Sequence, residues 1–313
     1  MNDKNIKENI LYDAVDFAFT QKFTTKQTTK YFANELSKMS DGEFIELLEI
    51  SGYIPDTYLP DSSHETLYSK LIEQLVCEWA IRIGFEKSYL QTQKSSVEDI
   101  TITDGENVIV SDAKSFRLGR SQASPNVKDV IKQGDYQKWL TRHKNKKKKG
   151  GIVTFPSKFE WKNSSDVHSY LTDNSNPILY VYYQHLSAML KFKINKMKIL
   201  EFFDIHKINF PNLIPKENNP KRNYFLVFHS HFFGNCKIEY DEYMKRVSVK
   251  LEQLKKNSIR RLRSKIYVIE NQIKEQLKMF NSINDLREFA FKLLKEEKTK
   301  EFNRIEENIK KFR

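Results

Sequence analysis

Between Glu98 and Arg120 the chain reads EDITITDGENVIVSDAKSFRLGR. Ile100 and Ile102 alternate with Thr101 and Thr103, Asp104-Gly105 is a turn signal, and Val108-Ile109-Val110 is a β-branched run. Branching at Cβ favours extended backbone and an Asp-Gly pair favours a tight turn, so this segment predicts a β-hairpin. Side chains two apart on a strand share a face, which aligns Val108, Val110, Asp112 and Lys114. The turn decides what they meet. A two-residue loop at Asp104-Gly105 sets Asp99 opposite Val110 and diagonal to Asp112. A loop at Gly105-Glu106 sets Asp99 directly opposite Asp112. Both registers put Asp99 on the face of Asp112 and Lys114, whereas a slip of one residue substitutes Glu98. Asp99 is therefore the expected partner and Glu98 its rival.

Two carboxylates and an amine on one face suit a hard divalent cation. Magnesium takes oxygen ligands and keeps several waters, so one or two carboxylates and a substrate phosphate complete its shell. Such an ion acts as a Lewis acid and orients an attacking water. Lys114 would stabilise developing negative charge, or help to orient and deprotonate that water. Magnesium-dependent enzymes that cut phosphodiester bonds use this order of residues. A bare Asp-x-Lys is also common at ordinary strand ends, so spacing by itself does not separate such a site from a solvated ion pair.

The stretch DAKSFRLGR closely resembles the active-site strand of the HindIII-type type II restriction endonucleases, members of the PD-(D/E)xK nuclease superfamily. The motif reads Glu98-Asp99, twelve residues, then Asp112-Ala113-Lys114, with Glu98 where the motif name has proline. GEFIELLEISGYIPDTYLPDSSHETLYSKL (42–71) is similar to the helix and loop ahead of that family's core, and NPILYVYYQHLSAMLKF (176–192) to the strand and helix that close it. The resemblance covers roughly residues 40–195. It implies an α/β (α+β type) nuclease core, a mixed sheet flanked by helices. It also implies magnesium-dependent hydrolysis of double-stranded DNA at a short palindromic site, leaving 5′-phosphates. A homodimer would match the palindrome, and a DNA methyltransferase would be the genetic partner. An acidic residue of the upstream helix often supports the metal site in this superfamily. By resemblance Glu65 is the first choice, with Glu73 and Glu78 behind it. The catalytic set is then Asp99, Asp112, Lys114 and Glu65, with Asp99 and Asp112 on the metal. Two other functions remain open: a non-catalytic DNA-binding protein with this fold, and a repair or toxin nuclease acting on DNA structure or RNA.

Charge agrees with a polyanionic partner. The net charge is +12 over 313 residues, with 30% charged and 39% hydrophobic residues, which predicts a folded protein. The segment after Lys114 is rich in donors. Ser115, Arg117, Arg120, Gln122, Asn126 and Lys128 are expected to reach phosphates, and a minority of them base edges. The lysine run at 144–149 reads as an exposed loop. No stretch approaches the ~20 apolar residues of a membrane span. The N-terminus lacks a signal-peptide core, and Cys77 and Cys236 form no disulfide or zinc pattern. A cytoplasmic location is expected.

Three regions follow: N-terminal helices (1–60), the catalytic core (61–200) and a long-helical C-terminal part (201–313) that packs on the core or mediates dimerisation. Ser40 and Glu43 form a capping signal, and Ser62-Ser63-His64-Glu65 opens the helix before the hairpin. Residues 151–156 and 178–183 read as strands, and Leu186–Phe192 as a helix. From Lys245 onward 20 Lys/Arg face 10 Asp/Glu, with apolar residues at helical spacing and a break near 282–284. His229 and His231 would share the face of a strand, and packing is the more probable role for them and for His185.

Overall fold

A computed structural model describes residues 6–91, 97–118, 125–131, 133–157, 161, 167–172, 177–210, 223–277 and 284–311. Three helices open the chain: α1 (Ile6–Thr20), α2 (Thr25–Lys38) and α3 (Asp41–Glu49). Thr24 with Gln27 and Ser40 with Glu43 close reciprocal capping boxes, which satisfy backbone donors that a helix start leaves open. A short strand, β1 (Tyr53–Ile54), leads to α4 (Ser63–Arg82). Ser62 caps α4 by accepting from the Glu65 amide at 3.2 Å. Arg82 fastens α4 to the opening helices: it bonds Glu78, Asp41 and the carbonyls of Leu36 and Met39, and it lies over the Phe44 ring.

The central sheet follows. β2 (Lys87–Leu90), β3 (Ile100–Asp104) and β4 (Asn107–Ala113) run antiparallel in turn. The hairpin pairs Ile100 with Ser111 and Asp104 with Asn107, so the loop is Gly105-Glu106. One residue further, this register sets Asp99 against Asp112. After β4 the chain leaves the sheet, and β5 (Phe116–Arg117) pairs with β1 in parallel. Helices α5 (Val127–Val130) and α6 (Gln133–Arg142) lead to β6 (Lys147–Phe155), which lies parallel to β4. Helix α7 (Val167–Leu171) precedes β7 (Ile178–Tyr182), parallel to β6. The sheet order is β2-β3-β4-β6-β7. This is the mixed α/β architecture that the resemblance implies.

Gly150 and Gly151 let helices close on both faces of the sheet. A Cβ at Gly151 would collide with the Tyr136 ring of α6, and one at Gly150 with Phe203 and the Pro177 carbonyl. Successive residues of a strand face opposite sides. The pair thus admits α6 on one face and α9 (Lys196–Asp204) on the other. Helix α8 (Tyr183–Lys191) starts at the end of β7, and its Leu186 carbonyl accepts from the indole of Trp79 on α4 at 3.2 Å.

The lysine run is a loop only in its first half: residues 144–146 form an exposed turn. Lys147–Lys149 begin β6, where pairing with β4 overrides the mutual repulsion of the lysines. Lys147 pairs with Glu106 and Lys149 with Asp204, which supply the opposing charge. Lys147 stands opposite Asn107, five residues before Asp112, so the run lies roughly 16 Å along the sheet from Asp112.

The remaining chain is helical: α10 (His206–Asn209), α11 (Asn223–Phe233), a 3₁₀ turn (Gly234–Cys236), α12 (Lys237–Leu277) and α13 (Asn284–Lys310). The expected strand at His229 and His231 is corrected. Both lie in α11, whose apolar residues cover a whole helix surface rather than alternate, and helical spacing turns the two rings apart. His231 contacts the Lys198 carbonyl, and His229 the Tyr240 hydroxyl. His185 packs against Tyr182 and Phe228 and accepts from the Tyr182 amide. Helix α12, roughly 60 Å long by its 41 residues, reaches back to the opening helices. Lys250 bonds the buried Glu49, and Leu254 and Leu262 pack with Tyr53, Leu118 and Ile309. Among the described residues no helix is long and apolar enough to cross a membrane.

At the open edge of the sheet, a side chain substitutes for a neighbouring strand. The Tyr224 hydroxyl accepts from the Tyr180 amide at 2.6 Å and donates to the Tyr180 carbonyl at 3.1 Å, fully buried. An unpaired strand edge is otherwise a liability. Tyr224→Phe removes both of these hydrogen bonds to the Tyr180 backbone, and is expected to lower stability by about 1–3 kcal/mol. Urea denaturation followed by circular dichroism measures the loss.

Candidate active site

Four elements meet at the end of β4 that leads out of the sheet. The Asp112 carboxylate is buried there, and its Oδ2 lies 2.6 Å from Lys114 Nζ. Asp99, just ahead of β3, accepts from the Ala113 amide through Oδ2 at 3.1 Å, which locks it across the hairpin from Asp112. Helix α4 brings Glu73, buried, with Lys70 donating to both its oxygens at 2.7 Å. The backbone at Lys114 is held on both sides. Its amide donates to the Thr154 carbonyl at 3.0 Å, and its carbonyl accepts from the Tyr183 hydroxyl at 3.0 Å, which in turn accepts from Thr154 Oγ1 at 3.1 Å. Gly52, at φ +93°, lets the Tyr183 ring sit where a Cβ would stand, and its carbonyl accepts from the Phe116 amide.

The electrostatics follow from crowding. Asp99 has its pKa pushed up to about 8, first by burial, then by the charges of Glu73 and Asp112 and by contact with Asp112. Glu73 is raised to about 7, mainly by burial, against the opposing pull of Lys70. Two unit charges 4 Å apart repel by roughly 4 kcal/mol at an effective dielectric constant of about 20. Two lysines do not fully offset three crowded carboxylates, so Asp99 and Glu73 hold their protons above the usual carboxylate range. Among the described residues no three His, Cys, Asp or Glu side chains form a ready-made cage for a metal. A pair of carboxylates fits magnesium better than a closed cage does, because that ion keeps part of its hydration shell.

The other sequence-derived positions are distributed differently. Glu65 bonds the Asp61 amide at 2.7 Å and the Arg117 guanidinium at 2.8 Å, and so ties the start of α4 to β5. Arg117 also donates to the Tyr58 carbonyl at 2.7 Å, which fixes it inside the fold. Glu78 is held by Arg82. Glu98 is buried, accepting from Thr101 at 2.8 Å and facing His143 Nε2 at 2.8 Å, so it ties the end of α6 to β3. Ser115 Oγ is buried and meets no hydrogen-bond partner among the described residues. Asn126 is exposed. Arg120 and Gln122 lie outside the described residues, as does the side chain of Lys128.

Glu73, rather than Glu65, is thus the residue of α4 that joins Asp99 and Asp112. A signal for it exists in the sequence. Glu73, Val76, Cys77 and Ala80 are spaced i, i+3, i+4, i+7, and all four are buried. A carboxylate on the apolar stripe of a helix is the informative exception.

These shifts give metal-free protein a defined pH dependence. An unfolded Asp ionises near pH 4, whereas native Asp99 holds its proton to about pH 8. Between those values the native state binds more protons, so stability falls as pH rises and the loss is complete above pH 8. Glu73 adds a loss ending near pH 7. In chelator, Asp99→Asn is expected to raise the thermal midpoint at pH 8 and to leave it nearly unchanged at pH 4. Equal shifts at both pH values would show that Asp99 is not the strained group.

The comparisons with known proteins agree with this geometry. The family model described as HindIII restriction endonuclease matches residues 10–208, which include every element from α2 to α9. The type II restriction enzyme HindIII of Haemophilus influenzae (strain ATCC 51907 / DSM 11121 / KW20 / Rd) is 24% identical over 220 residues, covering 69% of this chain and 69% of that protein. With the family model spanning well over half the chain, and with its core built as described above, the chain belongs to the HindIII restriction endonuclease family.

Proposed function

We propose that this type II site-specific deoxyribonuclease hydrolyses both strands of double-stranded DNA at a short palindromic site, with magnesium, and leaves 5′-phosphates. The convergence of Asp99, Asp112 and Glu73 with Lys114 and Lys70 is the observation that carries the reading. Asp99 and Asp112 would hold the cation, and Glu73, adjoining both, would support it. The bound ion supplies Lewis-acid activation of the scissile phosphate. Lys114 orients the attacking water and stabilises the charge that develops on phosphorus-bound oxygen. Water oxygen bonds to phosphorus in line as the bond to O3′ breaks; the water gives up a proton to solvent, and the departing O3′ takes one from solvent, leaving a 5′-phosphate and a 3′-hydroxyl. The hydrogen bonds that hold the Lys114 backbone keep its amine at the carboxylates without reorganisation during the reaction.

DNA is held first by charge, in keeping with the net +12. The segment leaving Lys114 is in sequence the nearest to the scissile strand; Arg120, Gln122, Asn126 and Lys128 are proposed to contact phosphates and base edges, whereas the buried Ser115 hydroxyl would reach DNA only if the segment shifts on binding. Arg117 is proposed to act on that segment's position, because its guanidinium is engaged inside the fold. Two protomers related by a two-fold axis would each cut one strand of a palindrome, and the C-terminal helices of the 201–313 region are the proposed brace between them. A host carrying this cytoplasmic enzyme would need a methyltransferase to protect its own sites.

Incubation with mixed-sequence plasmid and magnesium is expected to yield discrete fragments whose ends carry 5′-phosphate. Intact plasmid with a mobility shift would indicate a DNA-binding protein instead, and smears or RNA loss a different nuclease. Asp112→Asn and Lys114→Ala are expected to slow single-turnover cleavage by ~10³-fold or more, with DNA affinity within a few-fold of wild type. The two helix carboxylates separate by the same assay. Glu73→Gln is expected to lower the cleavage rate by ~10²-fold at unchanged DNA affinity, whereas Glu65→Gln lowers thermal stability and affects cleavage less.

A further inference from the structure

Tyr136 of α6 is fully buried, and among the described residues its hydroxyl makes no hydrogen bond of regular geometry, although it lies against the Asp112 carboxylate. Its ring lies in the space that Gly151 leaves open on β6. Gly151 pairs with Val110, and Val110 shares a strand face with Asp112. The ring therefore covers the face that carries Asp112, and the hydroxyl ends beside that carboxylate. After burial itself, the charges of Asp112 and Asp99 are what most oppose ionisation of the phenol. Other buried tyrosines around the core are bonded differently: Tyr183 donates to the Lys114 carbonyl, Tyr224 to the Tyr180 carbonyl, and Tyr243 to Ser187.

A buried hydroxyl without a well-formed hydrogen bond adds little to the stability of the fold, and phenylalanine would fill the same space without the cost of burying it. The orphan group faces the one carboxylate whose orientation matters most to the site. Lys114 holds Asp112 at Oδ2, and Asp99 touches the same carboxylate but donates to it only while protonated, so once Asp99 ionises the ion pair alone leaves the carboxylate plane free to turn about its bond to Cβ. A second donor fixes the plane.

We infer that Tyr136 is a positioning residue for Asp112: in the working site its hydroxyl donates to the Asp112 carboxylate and fixes the orientation in which that group meets the cation and the scissile phosphate. This rests on the reading of Asp112 as a catalytic residue. The hydroxyl touches neither water nor phosphate in this role, so its effect reaches the reaction only through Asp112. Outer groups of this kind typically change metal affinity or activity by about 10- to 100-fold.

The test compares full-length wild type, Tyr136→Phe and Asp112→Asn in four measurements: thermal midpoint in chelator, DNA affinity without metal, single-turnover cleavage rate, and the magnesium concentration for half-maximal cleavage. For Tyr136→Phe the expected result is an equal or higher midpoint, unchanged DNA affinity, cleavage ~10- to 100-fold slower, and a higher magnesium requirement. Wild-type cleavage by Tyr136→Phe beside an inactive Asp112→Asn overturns the inference and leaves the site reading intact. A lowered midpoint also overturns it, because the hydroxyl would then support the fold itself. Normal cleavage by Asp112→Asn removes the site reading, and this inference with it.

Discussion

The parallel pairing of β4 with β6 is the constraint on which the rest of the molecule depends. It sets Gly151 beside Val110 and Val153 beside Asp112, so one register decides both what packs on the sheet and where the carboxylate ends. The two glycines of β6 then permit close approach from both sides, Tyr136 on one face and Phe203 on the other. A parallel strand buried on both faces is expected to be nearly all apolar, and β6 from Ile152 to Phe155 obeys that except at Thr154. Thr154 has a different task. Its carbonyl and hydroxyl build the network that holds the Lys114 backbone.

That network explains why the chain can leave the sheet so soon after Asp112 without losing the geometry of Lys114. Between Ala113 and Phe116 the backbone belongs to no ladder. The Tyr183 hydroxyl and the Thr154 carbonyl take over on the two sides of Lys114, and the Gly52 carbonyl receives the Phe116 amide two residues later. Arg117 then anchors the chain to Tyr58 and Glu65. The opening helices and the C-terminal helices meet behind this point, through Glu49 with Lys250 and through Tyr53 and Leu118 with Leu254 and Leu262. A segment from each third of the chain thus supports the few residues that follow β4.

Much of this was legible in the sequence because it is local. Strand parity and an Asp-Gly turn fixed the relation of Asp99, Asp112 and Lys114, and the observed loop at Gly105-Glu106 is one of the two that the sequence allows. The capping signals at Ser40 and Ser62 are equally local, and both form. What was not legible depends on contacts between distant segments. Arg117 looks like a DNA ligand until the loop carbonyl of Tyr58 is folded against it, 59 residues away in sequence. Glu98 looks like an alternative to Asp99 until His143 arrives from the end of α6. Lys147–Lys149 look like a loop until Glu106 and Asp204 neutralise part of their charge. Tyr136 has no signal of its own. The sign is on its partner, a glycine in a strand, which marks a place where something approaches closely.

Glu73 and Glu65 show how burial separates function from support on one helix. Both are acidic, both face the interior of the molecule, and both have a cationic partner. Glu65 sits in the first turn, where the helix dipole favours a negative charge and Arg117 completes it, so nothing there is left unbalanced. Glu73 lies in mid-helix, has no such help from the dipole, and is placed beside Asp99 and Asp112. Left to stability alone, a helix would not bury a carboxylate next to two others, since each raises the energy of ionising its neighbours. The cluster persists as a site short of positive charge. A divalent cation bound with the phosphate of the substrate, as proposed, would supply what the lysines do not, and the crowding of three carboxylates is what distinguishes this corner of the fold from the balanced ion pairs around it.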